Sequence, residues 1–388
     1  MNAVLVEHQE ITATHGQVIS VLELLATRIQ WSTAKPIISD ASIHVSRGWA
    51  ETITTASQNI HGSTLHTTAY QKLSNTAWNH AYFGNKRVSF FDLREQNENY
   101  RTKVLSWAQE SAMSDLAGIL RERPFNILEA PTKKQALDLY KTSPPQLIEA
   151  KFFGNRLHLQ FFSTRSYTFR EPIDISLMTA TQQKSFIEYE KLIGVRTKCI
   201  PCFDTVAIDP TNELIEIRLD FQPGIIEDRD HSPLSRVIDA LNRIGRKYIQ
   251  QDICSTGLIN LHPTINPMYL DESCGRVTTL GFVATGRDSS SNNQGQLHRS
   301  KTKDLRKDEF HLGGRLHVEK IDPYAIGITW SQQDPKSDLN LEISGSARAL
   351  YNRTYGQVSE AEIVGCMNVQ DYEFVRNQIL SRLKRTKK

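Results

Sequence analysis

Two cysteines three residues apart, Cys199 and Cys202 in "TKCIPCFD", have the spacing of half a zinc knuckle. A structural zinc needs four ligands, and the other thiols, Cys254, Cys274 and Cys366, are scattered and offer no second close pair. A redox pair opens a helix, whereas here a strand-like run follows, so the pair is expected to be packed thiols and no metal is assigned to it. A second set is acidic: Asp204, Asp209, Glu213, Glu216, Asp220, Glu227, Asp228 and Asp230 outnumber Arg218 and Arg229 over 204–230. Converging carboxylates can hold Mg²⁺, but Asp209 and Asp230 suit turns, and Glu216 with Arg218 suits a solvated strand face. The histidines make no H-x-x-x-H set, and the chain has no phosphate loop, no G-x-G-x-x-G unit and no G-x-S-x-G elbow. These gaps weigh against an ATPase, a dehydrogenase or an α/β-hydrolase.

The remaining catalytic candidate is "LIEAK", an apolar run carrying Glu149-x-Lys151. It resembles the second half of the PD-(D/E)xK nuclease signature, which implies an acid that helps hold a divalent metal such as Mg²⁺ and a lysine that positions the attacking water. The signature also needs an upstream acid, for which Glu129 and Asp138 are the options, and neither follows the expected Pro-Asp. A metal-dependent nuclease is therefore an alternative reading, and the principal expectation includes no cofactor.

Basic residues carry the other candidate chemistry. Net charge is only +3, but residues 287–307 hold six Lys/Arg against two acids and residues 376–388 hold six against none, which leaves the rest of the chain at −7. In "GRDSSSNNQGQLHRSKTKDLRKDEFHLGG" (286–314) a Gly/Ser/Asn half offers reach, and Arg299, Lys301, Lys303, Arg306 and Lys307 offer contacts to phosphates. Arg382, Lys384 and Arg385 near the C-terminus, and Arg236, Arg243 and Lys247 on one helix, extend the list. "RSYTFR" (165–170) interleaves aromatics with arginines as base-stacking surfaces do. The principal expectation is a protein that binds DNA or RNA through phosphates, as a subunit of a larger complex. A scaffold meeting an acidic protein partner is a further alternative.

The elements that must position these residues change character along the chain. At 388 residues, with 39% hydrophobic and 23% charged residues, the chain is long enough for two domains. No run of 18 apolar residues occurs, and "MNAVLVEHQE" has no basic stretch before its first acid, so neither a membrane nor a signal peptide is expected and the location is expected to be cytoplasmic. Residues 1–123 read as a mainly helical domain, with Val18, Leu22, Leu25 and Ile29 at helical spacing and again Val104, Trp107, Ala108 and Leu116. The Ser/Thr-rich 51–77 reads as loop or weak helix.

Residues 124–388 read as α+β, with hairpins, a mostly antiparallel sheet and flanking helices. In "QLIEAKFFGNRLHLQFF" a Gly154-Asn155 turn places Phe152 opposite Leu157, Ala150 opposite Leu159 and Ile148 opposite Phe161, leaving Glu149, Lys151, His158 and Gln160 on a polar face. "FDTVAIDPTNELIEIRLDF" repeats the pattern, with Thr205, Glu216, Arg218 and Asp220 opposite its apolar side. Helices are expected around 179–194, over 232–248 and at the C-terminus, and the 286–314 segment is expected to be an overlong connection between strands, partly disordered without its partner.

Overall fold

The computed structural model describes residues 14–59, 63–223, 226–227, 232–286, 295–331, 338–351 and 357–385. Four helices come first: α1 (His15–Ala26), α2 (Trp31–Asp40), α3 (Trp49–Asn59) and α4 (Ser63–Phe83). Thr14 caps α1 in a reciprocal box with Gln17, and the helix buries Val18, Val21, Leu22, Leu24 and Leu25. The Ser/Thr-rich stretch is helical in α3 and α4. Thr54 and Thr76 return their hydroxyls to the carbonyls four residues back, and Ala69, Leu73, Ala77 and Ala81 make a fully buried row. Packing of that small-residue row against α1 supplies what the helix propensity of the segment lacks.

Strand β1 (Lys86–Asp92) follows, then α5 (Glu98–Ser106), α6 (Ala112–Arg121) and the short α7 (Lys134–Asp138). Next come β2 (Gln146–Phe153), β3 (Arg156–Ile173), α8 (Ala180–Ser185), β4 (Leu192–Asp209), β5 (Leu214–Asp220) and the two-residue β6 (Ile226–Glu227). The helix expected around 179–194 is only α8. From Leu192 the chain is strand, because β3 continues outward and pairs Ile173 with Leu192 and Glu171 with Gly194. The β2–β3 turn has Gly154 at φ +63°, and its first pairs are those expected. A bulge between Leu147 and Glu149 then brings Leu147, not Ile148, opposite Phe161.

The remaining elements are α9 (Pro233–Tyr248), α10 (His262–Leu270), β7 (Arg276–Gly286), β8 (Gly295–Arg299), α11 (Glu309–Leu316), β9 (Val318–Trp330), β10 (Leu339–Ser344), α12 (Ala347–Tyr351), β11 (Ala361–Val364) and α13 (Val369–Arg385). All strands join one antiparallel sheet in the order β2-β3-β4-β5-β1-β11-β10-β9-β7-β8, with β6 beside β3. The fold is α+β. β1, from within the first 123 residues, hydrogen-bonds to both β5 and β11 at the middle of that sheet.

Helices cover both faces. On one, Leu22, Ala77, Tyr372 and Val375 pack with Val88, Phe90, Phe162 and Phe203, and on the other, Val104, Leu116, Val237 and Leu241 pack with Phe91, Leu159, Val206 and Ile217. Alternate residues of a strand point to opposite faces, so a doubly covered sheet leaves its polar positions no water. His158, Gln160, Thr205, Glu216 and Arg218 are wholly buried, and Asp220 is nearly so. The strand faces expected to be solvated are therefore interior at these positions, while Glu149 and Lys151 on β2 are half-buried.

Candidate functional site

The basic segment is organised around two aspartates. Asp304 caps the 3-10 turn Leu305–Lys307, accepting from the Arg306 amide at 3.0 Å and from its guanidinium at 2.7 Å, and it also receives the Val277 amide at 3.3 Å. Burial works against the Asp304 charge, and the Arg306 hydrogen bonds outweigh it, so its carboxyl titrates below the usual range. Arg306 also donates to the carbonyls of Asp271 and Gly275. Arg382 of α13 reaches the same Asp271 through its carboxylate. Asp308 then caps α11 through the amides of Phe310 and His311, and His311 meets the Tyr269 hydroxyl at 2.8 Å.

Residues 286–314 are therefore not one loop between strands. They hold the end of β7, all of β8, a pinned turn and most of α11, while their Gly/Ser/Asn part, 287–294, lies outside the described residues.

The same contacts divide the predicted phosphate ligands. Arg306 and Arg382 are buried and spent on carboxylates and carbonyls, so they anchor the segment and present no charge to solvent. Arg299, Lys301, Lys303 and Lys307 are exposed, with no ion pair among the described residues. Phe310 projects beside them, 77% exposed and 6.0 Å from the His298 ring. The side chains of Lys384 and Arg385 fall outside those described. Arg243 and Lys247 are exposed on α9, but α9 packs on the opposite face of the sheet from Leu305 and α13, and Arg236 donates to the Ser143 carbonyl. In "RSYTFR", Arg165 pairs with Asp204 and Tyr167 is buried, while Phe169 is half-buried with the Lys198 ammonium 4.9 Å from its ring.

The nuclease candidates do not converge. Glu149 accepts the Tyr82 hydroxyl at 3.0 Å, and burial raises its pKa against the pull of Lys151. The Lys151 ammonium lies over three rings, 4.5 Å from Trp78, 4.4 Å from Tyr82 and 4.8 Å from Phe153, so it is held in a cation–π cage. Glu129 lines a separate recess with Tyr70 and Glu23, and Asp138 sits beside Cys199. Among the described residues no group of three His, Cys, Asp or Glu side chains is placed to hold a metal. Cys199 and Cys202 are three apart on one strand and so point to opposite faces, Cys199 to Ser166 and Cys202 to Tyr167. They cannot chelate one ion.

Four acids of the predicted cluster, Asp204, Asp209, Glu216 and Asp220, form instead an ion-pair network that sequence reasoning missed, while Asp228, Arg229 and Asp230 lie outside the described residues. Asp220 takes Arg28 at 2.8 Å and Lys86 at 2.5 Å, and Asp204 takes Arg165. Glu216 receives Arg218, Arg376 and the Tyr372 hydroxyl, and Arg376 also reaches Asp209 at 2.6 Å. Burial opposes the charge of Asp220 and Glu216, but the cations outweigh it and hold both carboxyls well below the usual range. Tyr372 and Arg376 lie four apart on α13, and that pairing of an aromatic with a cation on one helical stripe was the available signal. An open cleft of about 1020 Å³ at the end of β1, lined by Phe91, Leu234, Ile238, Leu258, Leu380 and Leu383, left no trace in the sequence reading. Comparison with family models, with curated proteins and with solved structures finds no match to this chain.

Proposed function

We propose that this protein binds nucleic acid through its phosphates, with Arg299, Lys301, Lys303 and Lys307 as the contacts and Phe310 as a surface on which an unpaired base stacks, and that it does so as part of a larger assembly. The observation that supports this reading is the division of labour in the segment. Two buried arginines, Arg306 and Arg382, fix it through Asp304 and Asp271, while four neighbouring cations are left exposed with no ion pair among the described residues. A fixed cationic strip loses little entropy on meeting a polyanion, and an exposed aromatic beside it suits a single strand more than a duplex. Phosphate contacts position the ligand without reading its sequence, so broad specificity follows.

Fluorescence anisotropy with labelled single-stranded and duplex oligonucleotides tests this. Four contacts give log–log salt slopes of about −3 for a single strand and about −3.6 for a duplex. Lys301→Glu with Lys303→Glu weakens binding and flattens the slope by at least ~2. No binding at ~50 mM salt, or binding indifferent to salt, overturns the proposal.

A further inference from the structure

The outer halves of β3 and β4 form an arm that the chain leaves uncovered. Its base is a small cluster of Tyr167, Ile200 and Cys202, and from Thr168 to Cys199 no residue is buried. Yet between its charged residues the arm presents exposed apolar side chains. Ile173, Leu177, Ile187, Tyr189, Ile193 and Val195 are 41%, 85%, 81%, 61%, 54% and 65% exposed. A two-stranded ribbon without a core is marginal in water, and an apolar one is an interaction surface. Its backbone is also open along both edges, since among the described residues β3 over 169–173 and β4 over 192–199 are laddered only to each other. β6 pairs with β3 at Tyr167 and Thr168, whereas over 192–199 β4 has ladder partners among the described residues only on β3.

We propose that the arm pairs with the arm of a second copy of this chain, β4 against β4, antiparallel about a two-fold axis at Gly194. Three features choose that partner. An antiparallel strand pair is self-complementary, so one free edge satisfies another like it and closes the assembly at two copies. In the register centred on Gly194, residues 192–196 of the two strands pair, so that Ile193 faces the partner's Val195 and Leu192 faces the partner's Arg196, each contact occurring twice and none joining like charges. Ile193 and Val195, the two exposed apolar side chains on the pairing strand, 54% and 65% exposed, leave water when the edges join. This inference is independent of the phosphate contacts at 299–307.

Sedimentation equilibrium across ~1 to ~100 µM gives twice the chain mass for the wild type. Ile193→Lys with Val195→Lys weakens the dimer by roughly a hundredfold or more, with an unchanged circular dichroism spectrum and unfolding midpoint showing that the body still folds. In a Cys199→Ser background, Gly194→Cys forms an intermolecular disulfide under mild oxidation, because directly opposed residues have Cα atoms about 4.5–5.5 Å apart. Thr197→Cys does not, since in this register the two copies of residue 197 lie about 20 Å apart. A wild type that stays monomeric, a dimer indifferent to the double lysine variant, or crosslinking at Thr197 in place of Gly194 overturns the proposal.

Discussion

Asp220 shows how much a single buried carboxylate organises. Lys86, wholly buried, donates to it and to the carbonyls of Ala81 and Phe203, each at 2.7 Å, which uses its three protons. Arg28 grips the same carboxylate with both terminal nitrogens. Asp220→Asn leaves both cations buried without a counter-charge, and the expected cost is about 3–5 kcal/mol, measured by urea denaturation. Because the carboxyls of Asp220 and Glu216 are held low, their contribution is complete above an unfolded-state pKa of about 4 and is lost as pH falls below it.

His158 acts in a higher window. It is fully buried among Phe83, Tyr82 and Phe153, and neither ring nitrogen has a hydrogen-bond partner among the described residues. Burial and then Arg218 push its pKa far down, so the folded protein keeps it neutral while the unfolded chain takes a proton below about 6.5. Stability therefore falls as pH drops through that value. His158→Phe is expected to remove about 1.4 kcal/mol per pH unit of that slope between roughly 6.5 and 5 and to cost little at pH 8, leaving the shares of His80, His262 and His311, which burial also pushes down. Stability curves of the two proteins at several pH values check it. The sequence set Glu216 and Asp220 in an acidic cluster and His158 on a polar face but gave no sign of their burial, because Glu-x-Arg-x-Asp on a strand reads the same whether water or a helix covers it.

At the scale of elements, legibility followed locality. The β2–β3 turn and its nearest pairs were readable, since Gly154-Asn155 and period-two alternation specify them within ten residues. Farther along, the bulge at Leu147–Glu149 shifted the register, and nothing local marked it. The helix α9 was equally clear, with Pro233 in its first turn and Val237, Leu241 and Ile244 buried as its stripe required. α3 and α4 were not, because their helicity depends on packing against α1. The turn at 300–308 also depends on distant groups, Asp271 and Gly275. Arg306→Ala is expected to raise amide hydrogen exchange across 300–308 by tenfold or more, corresponding to about 1.5–3 kcal/mol for hydrogen bonds to a charged group. Lys303→Ala, whose side chain has no such anchor, is expected to leave that exchange unchanged.

For the whole molecule, the decisive feature is the position of β1 at the centre of the sheet. The core on one face takes side chains from α1 and α4 as well as from α10 and α13, so helices from both ends of the chain share one interior. A fragment of residues 124–388 lacks β1 and would expose the ladders of β5 and β11 together with Phe203 and Tyr372. It is expected not to fold, with circular dichroism and amide dispersion in NMR spectra as the measurements. Among the described residues no helix is long and apolar enough to cross a membrane.

The sequence by itself determined the α+β class, the tight turns, the amphipathic helices and the placing of basic charge in the C-terminal third, because each is written in neighbouring residues. Tertiary structure decided which charges are free. Arg306 and Arg382 were indistinguishable from Lys301 or Lys303 until Asp271 and Asp304 were brought to them, and Glu216 and Asp220 looked solvated until helices closed over their face of the sheet. The physical reason is that hydrogen-bond geometry and periodicity act over a few residues, whereas burial, which sets the worth of a charge, depends on elements brought together from the whole chain.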